Sequence, residues 1–162
     1  DMRGNVDTRL RKLARGQVDA LLVAAAGLAR LGLDHRAAER LDPAVMLPAV
    51  GQGAVVAQVR SDASDLRARL AIVDHLPTRA EVEAERALLA ALGGGCQRPI
   101  AALGRCDGKR LVLDGAVLEA DGTQIVRERI ASDAAHPAEA GAALARRLLA
   151  LGAGRLLVEV AR

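Results

Sequence analysis

One cysteine stands in a setting that could support chemistry. Cys96 directly follows the three glycines 93–95. Glycine removes side-chain obstruction and allows unusual backbone angles, so this spacing predicts a thiol on an exposed, adaptable loop just past a helix. Arg86 and Arg98 are close in sequence and would favour the nucleophilic thiolate if they approached it. A buried structural cysteine or an incidental surface thiol fits the spacing as well, and Cys106 is interpreted as incidental.

Three arginines near the start of the chain form a second candidate site. Arg3 and Arg9 flank a predicted helix start, and Arg30 follows a predicted strand. Ligands in open α/β sheets bind near helix N-termini and strand ends, and guanidinium groups suit carboxylates, so the three could form a carboxylate-binding cluster. Two alternatives stay open: Arg9 and Arg30 could be solvated helix-face residues, and the general arginine excess could reflect a GC-rich genome.

Other chemical signals are weak. Asp7, Asp19 and Asp34 are single carboxylates without an obvious acid–base partner, and Gly51-Gln52-Gly53 is too short for a phosphate-binding loop. The histidines and cysteines do not have metal-site spacing. The sequence therefore predicts neither a catalytic dyad nor a metal site.

Composition limits the possible classes of protein. The 162 residues are 51% hydrophobic with a net charge of +3 and no aromatic residue, which disfavours nucleic-acid binding by base stacking. No signal peptide and no apolar run of about 18 residues is seen, so we expect a cytoplasmic protein without membrane insertion. Because the chain begins Asp1-Met2-Arg3 and reads as the middle of a domain, we expect that upstream sequence is absent from it.

The first part of the chain has an α-β-α pattern. We predict a helix over 7–15 with Asp7 or Thr8 as its N-cap, a buried strand in the apolar run 18–28, and a second short helix starting in 27–32. Such a strand needs further strands to complete a sheet, and these are not evident in the sequence.

The rest of the chain changes character after a loop that contains Pro43 and Pro48. Acidic residues early in the helix at 78–92 suit its dipole, and Asp121-Gly122 is a hairpin signal. We predict strands at 54–60, 98–106, 109–120 and 124–131, helices at 62–74 (capped by Asp62 or Ser64), 78–92 and 137–151, and a short strand or tail at 155–160.

Four segments carry a resemblance to a known family. They are, in order, RGNVDTRLRKL, DALLVAAAGLARLGL, LPAVGQGAVVAQVR and ERALLAALGGGCQRPIAA. All four resemble signature segments of hydroxymethylbilane synthase, also called porphobilinogen deaminase. The resemblance runs from residue 3 to about residue 102, and the remainder is similar to the family's third domain more loosely.

The resemblance implies a transferase of haem and tetrapyrrole biosynthesis that joins four porphobilinogen molecules head to tail, releases ammonia and yields hydroxymethylbilane. It implies that Cys96 holds a dipyrromethane cofactor through a permanent thioether. The implied binding residues for the cofactor and substrate are Cys96, Arg3, Arg9 and Arg30, with Gly4, Ala24 and Gly27 allowing close approach to the backbone. No catalytic residue is implied within this chain, because the family's catalytic aspartate lies upstream. Arg98 stands where the family often has valine.

The implied fold is α/β and α+β: the C-terminal half of a periplasmic-binding-protein-like two-domain region, followed by a small third domain with a three-stranded antiparallel sheet and helices. The implied division is 1–47 as part of domain 2, 48–75 as a crossover belonging to domain 1, and 76–162 as domain 3. The expected partners are porphobilinogen, pyrrole intermediates and the missing N-terminal half, and the full-length enzyme is expected to be a monomer. The chain alone is expected to be inactive. The alternatives are a non-catalytic truncated relative that binds tetrapyrrole precursors or acts as a folded partner, and an arginine-rich nucleic-acid binder.

Overall fold

The computed structural model describes residues 2–94 and 98–158. The chain divides into two compact units, Asp1–Asp42 and Pro43–Arg162, which are described separately.

The first unit contains two short helices. Helix α1 spans Val6–Ala14 and helix α2 spans Ala25–Arg30, followed by a 3-10 turn at Asp34–Arg36. The N-cap of α1 is Asn5, whose side chain accepts a hydrogen bond from the Thr8 backbone N–H at 3.0 Å. The predicted caps Asp7 and Thr8 were wrong, because α1 already begins at Val6 and Asn5, just before it, accepts from the free Thr8 N–H.

The prediction of a buried strand over 18–28 was wrong. Residues 18–24 form neither helix nor strand, and α2 begins at Ala25. Leu22, in the middle of the apolar run, is 65% exposed. An isolated strand leaves its backbone donors and acceptors unpaired, and the described residues of this unit supply no strand to pair with it.

The second unit opens with an irregular segment. Helix α3 covers Ser64–Leu70 and continues into a 3-10 turn at Ala71–Val73, which confirms the helix predicted at 62–74. Its N-cap is Ala63, which makes no side-chain cap hydrogen bond, so Asp62 and Ser64 were wrong as caps. The prediction of a strand at 54–60 was wrong: these residues are described and form no strand, because no strand edge pairs with them. Val55, within the segment, is 92% exposed.

The remainder of the second unit is an α+β layer structure. Helix α4 spans Leu76–Ala91, strands β1 (Ile100–Asp107), β2 (Arg110–Leu118) and β3 (Ile125–Asp133) follow, and helices α5 (Pro137–Ala150) and α6 (Ala153–Val158) end the described chain. The strands form an antiparallel sheet in the order β1-β2-β3. This confirms the mixed helix and strand fold and its three-stranded antiparallel sheet. The short strand or tail predicted at 155–160 was wrong for residues 155–158, which belong to α6. Ala153, Leu156 and Leu157 lie at helical spacing and are all buried.

The core of the second unit lies between one face of the sheet and the helices. Its fully buried large side chains are all aliphatic: Leu88, Leu111, Leu113, Leu144, Leu148 and Val117. Gly115 lies in the same face of β2, where a Cβ atom would come within 2.9 Å of the side chains of both Leu88 and Leu144. The core is therefore closed by helix side chains that fit over a glycine in the central strand.

The opposite face of the sheet carries a smaller cluster. Leu47, from the irregular segment before α3, packs on Ala101 of β1 and Ala116 of β2. Ala101 and Ala116 point away from the helices, because successive side chains of a strand point to opposite faces of the sheet. This second face therefore also buries apolar surface.

Candidate functional site

Around α1, the described contacts bring together three of the predicted binding residues. Arg9 donates from Nε to the Gly4 carbonyl at 2.8 Å, and Lys12 donates from Nζ to the Arg3 carbonyl at 3.2 Å. Gly4 has a φ of 121°, and a Cβ atom there would come within 2.8 Å of the Thr8 side chain. Glycine is thus required for the turn that brings the Arg3 carbonyl within reach of Lys12.

The guanidinium groups near α1 retain binding capacity. Arg3 is exposed and Arg9 is partly exposed. An arginine side chain has five N–H donors, and the described bond to Gly4 uses one of those of Arg9. The chemistry of these groups fits a ligand that carries carboxylates.

The other predicted binding residues lie along α2. Ala24 is the N-cap of this helix, and Arg30 is its last residue and is exposed. Gly27 faces α1, because a Cβ atom there would lie 3.7 Å from the Val6 side chain. Arg30 was predicted to follow a strand; it ends a helix instead, since the apolar run before it does not form a strand.

Cys96 lies outside the described residues, so its predicted exposure and its proximity to Arg86 and Arg98 stay predictions. The chain leading to it is described up to Gly94. Gly93 has a φ of 65°, and the Gly94 N–H donates to the Leu89 carbonyl at 2.9 Å. A Cβ atom at Gly94 would collide with the Leu89 side chain. At least two of the three glycines are therefore required for the way in which the chain leaves α4.

Arg98 follows the undescribed residues 95–97. Its Nη1 atom donates to the Leu157 carbonyl in α6 at 3.3 Å. A cation near the last carbonyls of a helix stabilises that end of the helix. In the described structure, this unexpected charge therefore contacts the last helix of the unit.

A groove lies on the sheet face opposite the helices. It has a volume of about 370 Å³ and is lined mainly by apolar side chains, among them Val45, Met46 and Leu118, with Arg98 and Arg127 also at its wall. Both guanidinium groups already have partners. Arg98 binds the Leu157 carbonyl, and Arg127 binds the Pro43 and Ala44 carbonyls and lies 3.8 Å from the Asp114 carboxylate.

Cys106 is a poor candidate for reactivity. It lies on β1 and is partly buried against the core. Burial raises the pKa of its thiol, and the nearby Glu81 carboxylate raises the pKa further. Since the thiolate is the reactive form, these surroundings suppress reaction at Cys106.

Two carboxylates on α4 were missed by the sequence reasoning. Glu85 is only 3% exposed and accepts from the Gly51 N–H at 2.7 Å and the Gly104 N–H at 2.9 Å. Glu81, one turn earlier, accepts from the Cys106 N–H at 2.8 Å. A signal was available, because Glu85 falls in the apolar stripe of α4 beside Ala84 and Leu88, where a solvated glutamate would not be expected. Burial raises the pKa of Glu85, while the two N–H donors act in the opposite direction.

Metal and membrane signals are absent from the part of the chain that the structure describes. Residues 2–94 and 98–158 contain no group of three or more histidine, cysteine or acidic side chains that could hold a metal ion. Among the same residues, no helix is both long enough and apolar enough to span a membrane.

Comparison with known proteins identifies the class. Residues 1–68 match the family model "Porphobilinogen deaminase, dipyromethane cofactor binding domain", and residues 79–150 match "Porphobilinogen deaminase, C-terminal domain". Both matched models describe domains of one class of enzyme, and the first is named for its dipyrromethane cofactor. The chain belongs to the porphobilinogen deaminase family.

Individual relatives agree with this assignment. The porphobilinogen deaminase of Desulforudis audaxviator is 52% identical over 159 residues, which are 98% of this chain and 52% of that protein. The porphobilinogen deaminase of Roseiflexus sp. is 47% identical over 157 residues, 97% of this chain and 52% of the relative. That of Moorella thermoacetica is 46% identical over 160 residues, 99% of this chain and 51% of the relative. The chain spans about half the length of the curated relatives it matches.

Proposed function

We propose that this chain is the C-terminal segment of a hydroxymethylbilane synthase, which condenses four porphobilinogen molecules head to tail into hydroxymethylbilane with release of ammonia. The observation that carries the proposal is that two models of one family match the chain in order, over residues 1–68 and 79–150. The cytoplasm is the proposed location.

Within this proposal, Cys96 is the covalent anchor of the dipyrromethane cofactor, which supplies the primer on which the product chain grows. Cys96 lies in the string GGGCQRPI that resembles the family's cofactor segment. The raised pKa of the Cys106 thiol supports Cys96 over Cys106 as the residue that forms the thioether, since Cys106 holds its proton more firmly than usual.

The proposed role of Arg3, Arg9 and Arg30 is to bind the acetate and propionate groups of the cofactor and substrate. Planar guanidinium groups bind carboxylates through two parallel hydrogen bonds. The partial or full exposure of all three side chains supports this role. Gly4, Ala24 and Gly27 would let the ligand approach the backbone.

The proposed architecture follows the family. Residues 1–47 would complete a second domain, residues 48–75 would cross to a first domain, and residues 76–162 would form a third, in a periplasmic-binding-protein-like arrangement for the first two. The two apolar runs that remain exposed, around Leu22 and Val55, support this division because each would gain a sheet partner. Activity would then require the N-terminal half, which carries the aspartate expected to handle proton transfer, and the complete enzyme would act as a monomer.

Intact-mass spectrometry of the purified protein tests the proposal. The expected result, for the chain combined with the N-terminal half of a relative, is a mass increase equal to a two-pyrrole adduct, mapped by peptide analysis to Cys96, together with formation of hydroxymethylbilane from porphobilinogen. An adduct without turnover would favour the non-catalytic alternative. A bare mass in the combined protein, with no turnover, would contradict the proposal.

A further inference from the structure

Residues 43–51, here called the strap, pass over the sheet face that the helices leave open and reach the outer edge of β1. Leu47 anchors the middle of the strap by packing on Ala101 and Ala116. Val45 and Met46 form part of the wall of the groove. The strap therefore covers apolar surface of the sheet without belonging to a regular element.

Polar contacts hold the strap at both ends. At its start, Arg127 of β3 donates to the Pro43 carbonyl at 3.0 Å. Toward its end, the Pro48 carbonyl accepts from the Ala102 N–H of β1 at 3.1 Å. At the last residue, the Gly51 N–H donates to Glu85 at 2.7 Å.

Glu85 joins the strap to β1 through a single carboxylate. Its Oε2 atom accepts from Gly51 on the strap, and its Oε1 atom accepts from Gly104 on β1 at 2.9 Å. Glu81 on the same helix face makes the same kind of bond, to the Cys106 N–H, but Cys106 lies on β1 and not on the strap. Both glutamates thus accept from a β1 backbone N–H, but Glu81 is only partly buried and its bond does not involve the strap.

Two opposing effects act on the Glu85 carboxylate: the cost of its burial and its hydrogen bonds to backbone N–H groups. With the strap in place the carboxylate is only 3% exposed, and a buried carboxylate loses the hydration that it has in water. The two backbone N–H groups compensate part of that loss, while burial raises the pKa of Glu85 and the neighbouring Glu81 raises it further, with Arg86 acting in the opposite direction. If the strap lifted, water would hydrate the carboxylate in place of the Gly51 N–H. This hydration lowers the free energy needed to break the bond between Glu85 and Gly51.

We propose that the strap is a detachable element of this fold and that Glu85 is the positioning residue that holds its end on β1. Detachment exposes the outer edge of β1 at Ala102 and opens the groove on the Val45 and Met46 side in one motion. Glu85 lies in the region that matches the C-terminal domain model, and the strap lies in the region that matches the cofactor-binding domain model. The Glu85 carboxylate therefore connects the segment that matches one family model to the segment that matches the other.

Amide hydrogen exchange followed by NMR on the intact chain tests the proposal. Amides that become exposed in one opening event share one opening free energy. In the wild type, we expect the Gly51 and Ala102 amides to exchange at a common opening free energy, lower than that of Leu113 in the central strand. Glu85→Ala should speed exchange at both amides by about tenfold or more while Leu113 stays protected.

Ala102 is the decisive position, because its acceptor is Pro48 and not Glu85. Glu85→Gln has one carbonyl oxygen in place of two carboxylate oxygens and should give an intermediate effect, so it serves if Glu85→Ala fails to fold. Glu81→Gln is the matched control and should speed exchange at Cys106 alone. The proposal is overturned if Ala102 keeps its wild-type exchange rate in the Glu85 variants, or if Glu81→Gln releases Ala102 equally. This test needs neither cofactor nor turnover, so its outcome is separate from that of the proposed function.

Discussion

Gly141 of α5 lies directly against the backbone of α4: a Cβ atom at Gly141 would come within 2.6 Å of the Leu88 backbone nitrogen. The same atom would collide with the Ala84 carbonyl and lie 2.7 Å from the Ala87 Cβ atom. These neighbours are mostly helix backbone, which cannot move aside as a flexible side chain would. The absence of a side chain at Gly141 therefore sets how closely the two helices approach.

Gly141→Ala is predicted to destabilise the protein by about 1–3 kcal/mol through overpacking. Helix propensity alone predicts the opposite sign, a gain of about 1 kcal/mol. Urea unfolding followed by far-UV circular dichroism measures the difference, since the chain has no aromatic residue for fluorescence. Gly53→Ala is the control, because no atom lies within 4 Å of a Cβ atom there. Equal stability of the two variants would contradict the close contact.

Glu85→Gln is predicted to change how stability depends on pH. Burial raises the folded-state pKa of Glu85 above its ordinary value of 4.5, so the folded chain holds this proton more tightly than the unfolded chain. The contribution of protonated Glu85 to stability is complete below pH 4.5 and is lost as the pH rises through the raised pKa. Glutamine cannot ionise, so the free energy of unfolding of the Gln variant does not fall with the ionisation of this residue.

Urea unfolding of the two proteins from about pH 4 to about pH 8 measures this effect. The free energy of unfolding of the wild type, minus that of the Gln variant, should fall as the pH rises. A difference that grows with pH would mean that the two N–H bonds to the charged carboxylate outweigh its burial. Glu83→Gln, at an exposed position on the same helix, is the matched control for the loss of one carboxylate.

Cys96→Ala is predicted to abolish attachment of the dipyrromethane cofactor, and Cys106→Ala is predicted to preserve it. The reason is that a thioether needs the sulfur atom of the anchoring residue, while the Cys106 thiol is partly buried with a raised pKa. Intact mass of the protein combined with the N-terminal half is the measurement. Loss of the adduct in the Cys106 variant alone would show that the assignment to Cys96 is wrong.

Arg9→Leu and Arg30→Leu are predicted to impair catalysis more than folding. Loss of a charge-assisted hydrogen bond to a carboxylate costs about 1.5–3 kcal/mol, which corresponds to a fall of about ten- to a hundredfold in kcat/KM. Steady-state kinetics of the combined enzyme measure it, with urea unfolding of each variant as the check on folding. Arg11→Leu is the control, since Arg11 is exposed on α1 outside the predicted cluster. Unchanged kinetics in both variants would contradict the proposed binding role.

The sequence predicted well those elements whose signals are local. Helices α4 and α5 have long amphipathic patterns with proline in the first turn, and Asp121-Gly122 marks the turn between β2 and β3. Each of these signals depends on residues close together in the chain. The elements therefore form in the structure at nearly the predicted bounds.

The failures concern pairing at a distance. The apolar runs 18–24 and 54–60 have strand character, yet a strand requires a partner edge, and propensity alone does not supply one. The candidate site divides in the same way. Resemblance assigned Cys96 and the arginines, whereas the role of Glu85 depends on backbone groups of Gly51 and Gly104 that only the folded chain brings to it.

The outer edge of β1 also has a consequence for self-association. Its outward N–H groups at Ala102, Gly104 and Cys106 are bound by the Pro48 carbonyl, Glu85 and Glu81. A strand from another molecule would find no donor free at these three positions, and edges with free donors are where sheets recruit each other into aggregates. The other edge, β3, carries the consecutive charges Arg127, Glu128 and Arg129. Charged side chains disfavour incoming strands at the β3 edge, and the N–H donors at these three β1 positions are already bound, so a concentrated solution of this chain should resist β-sheet aggregation through this three-stranded sheet.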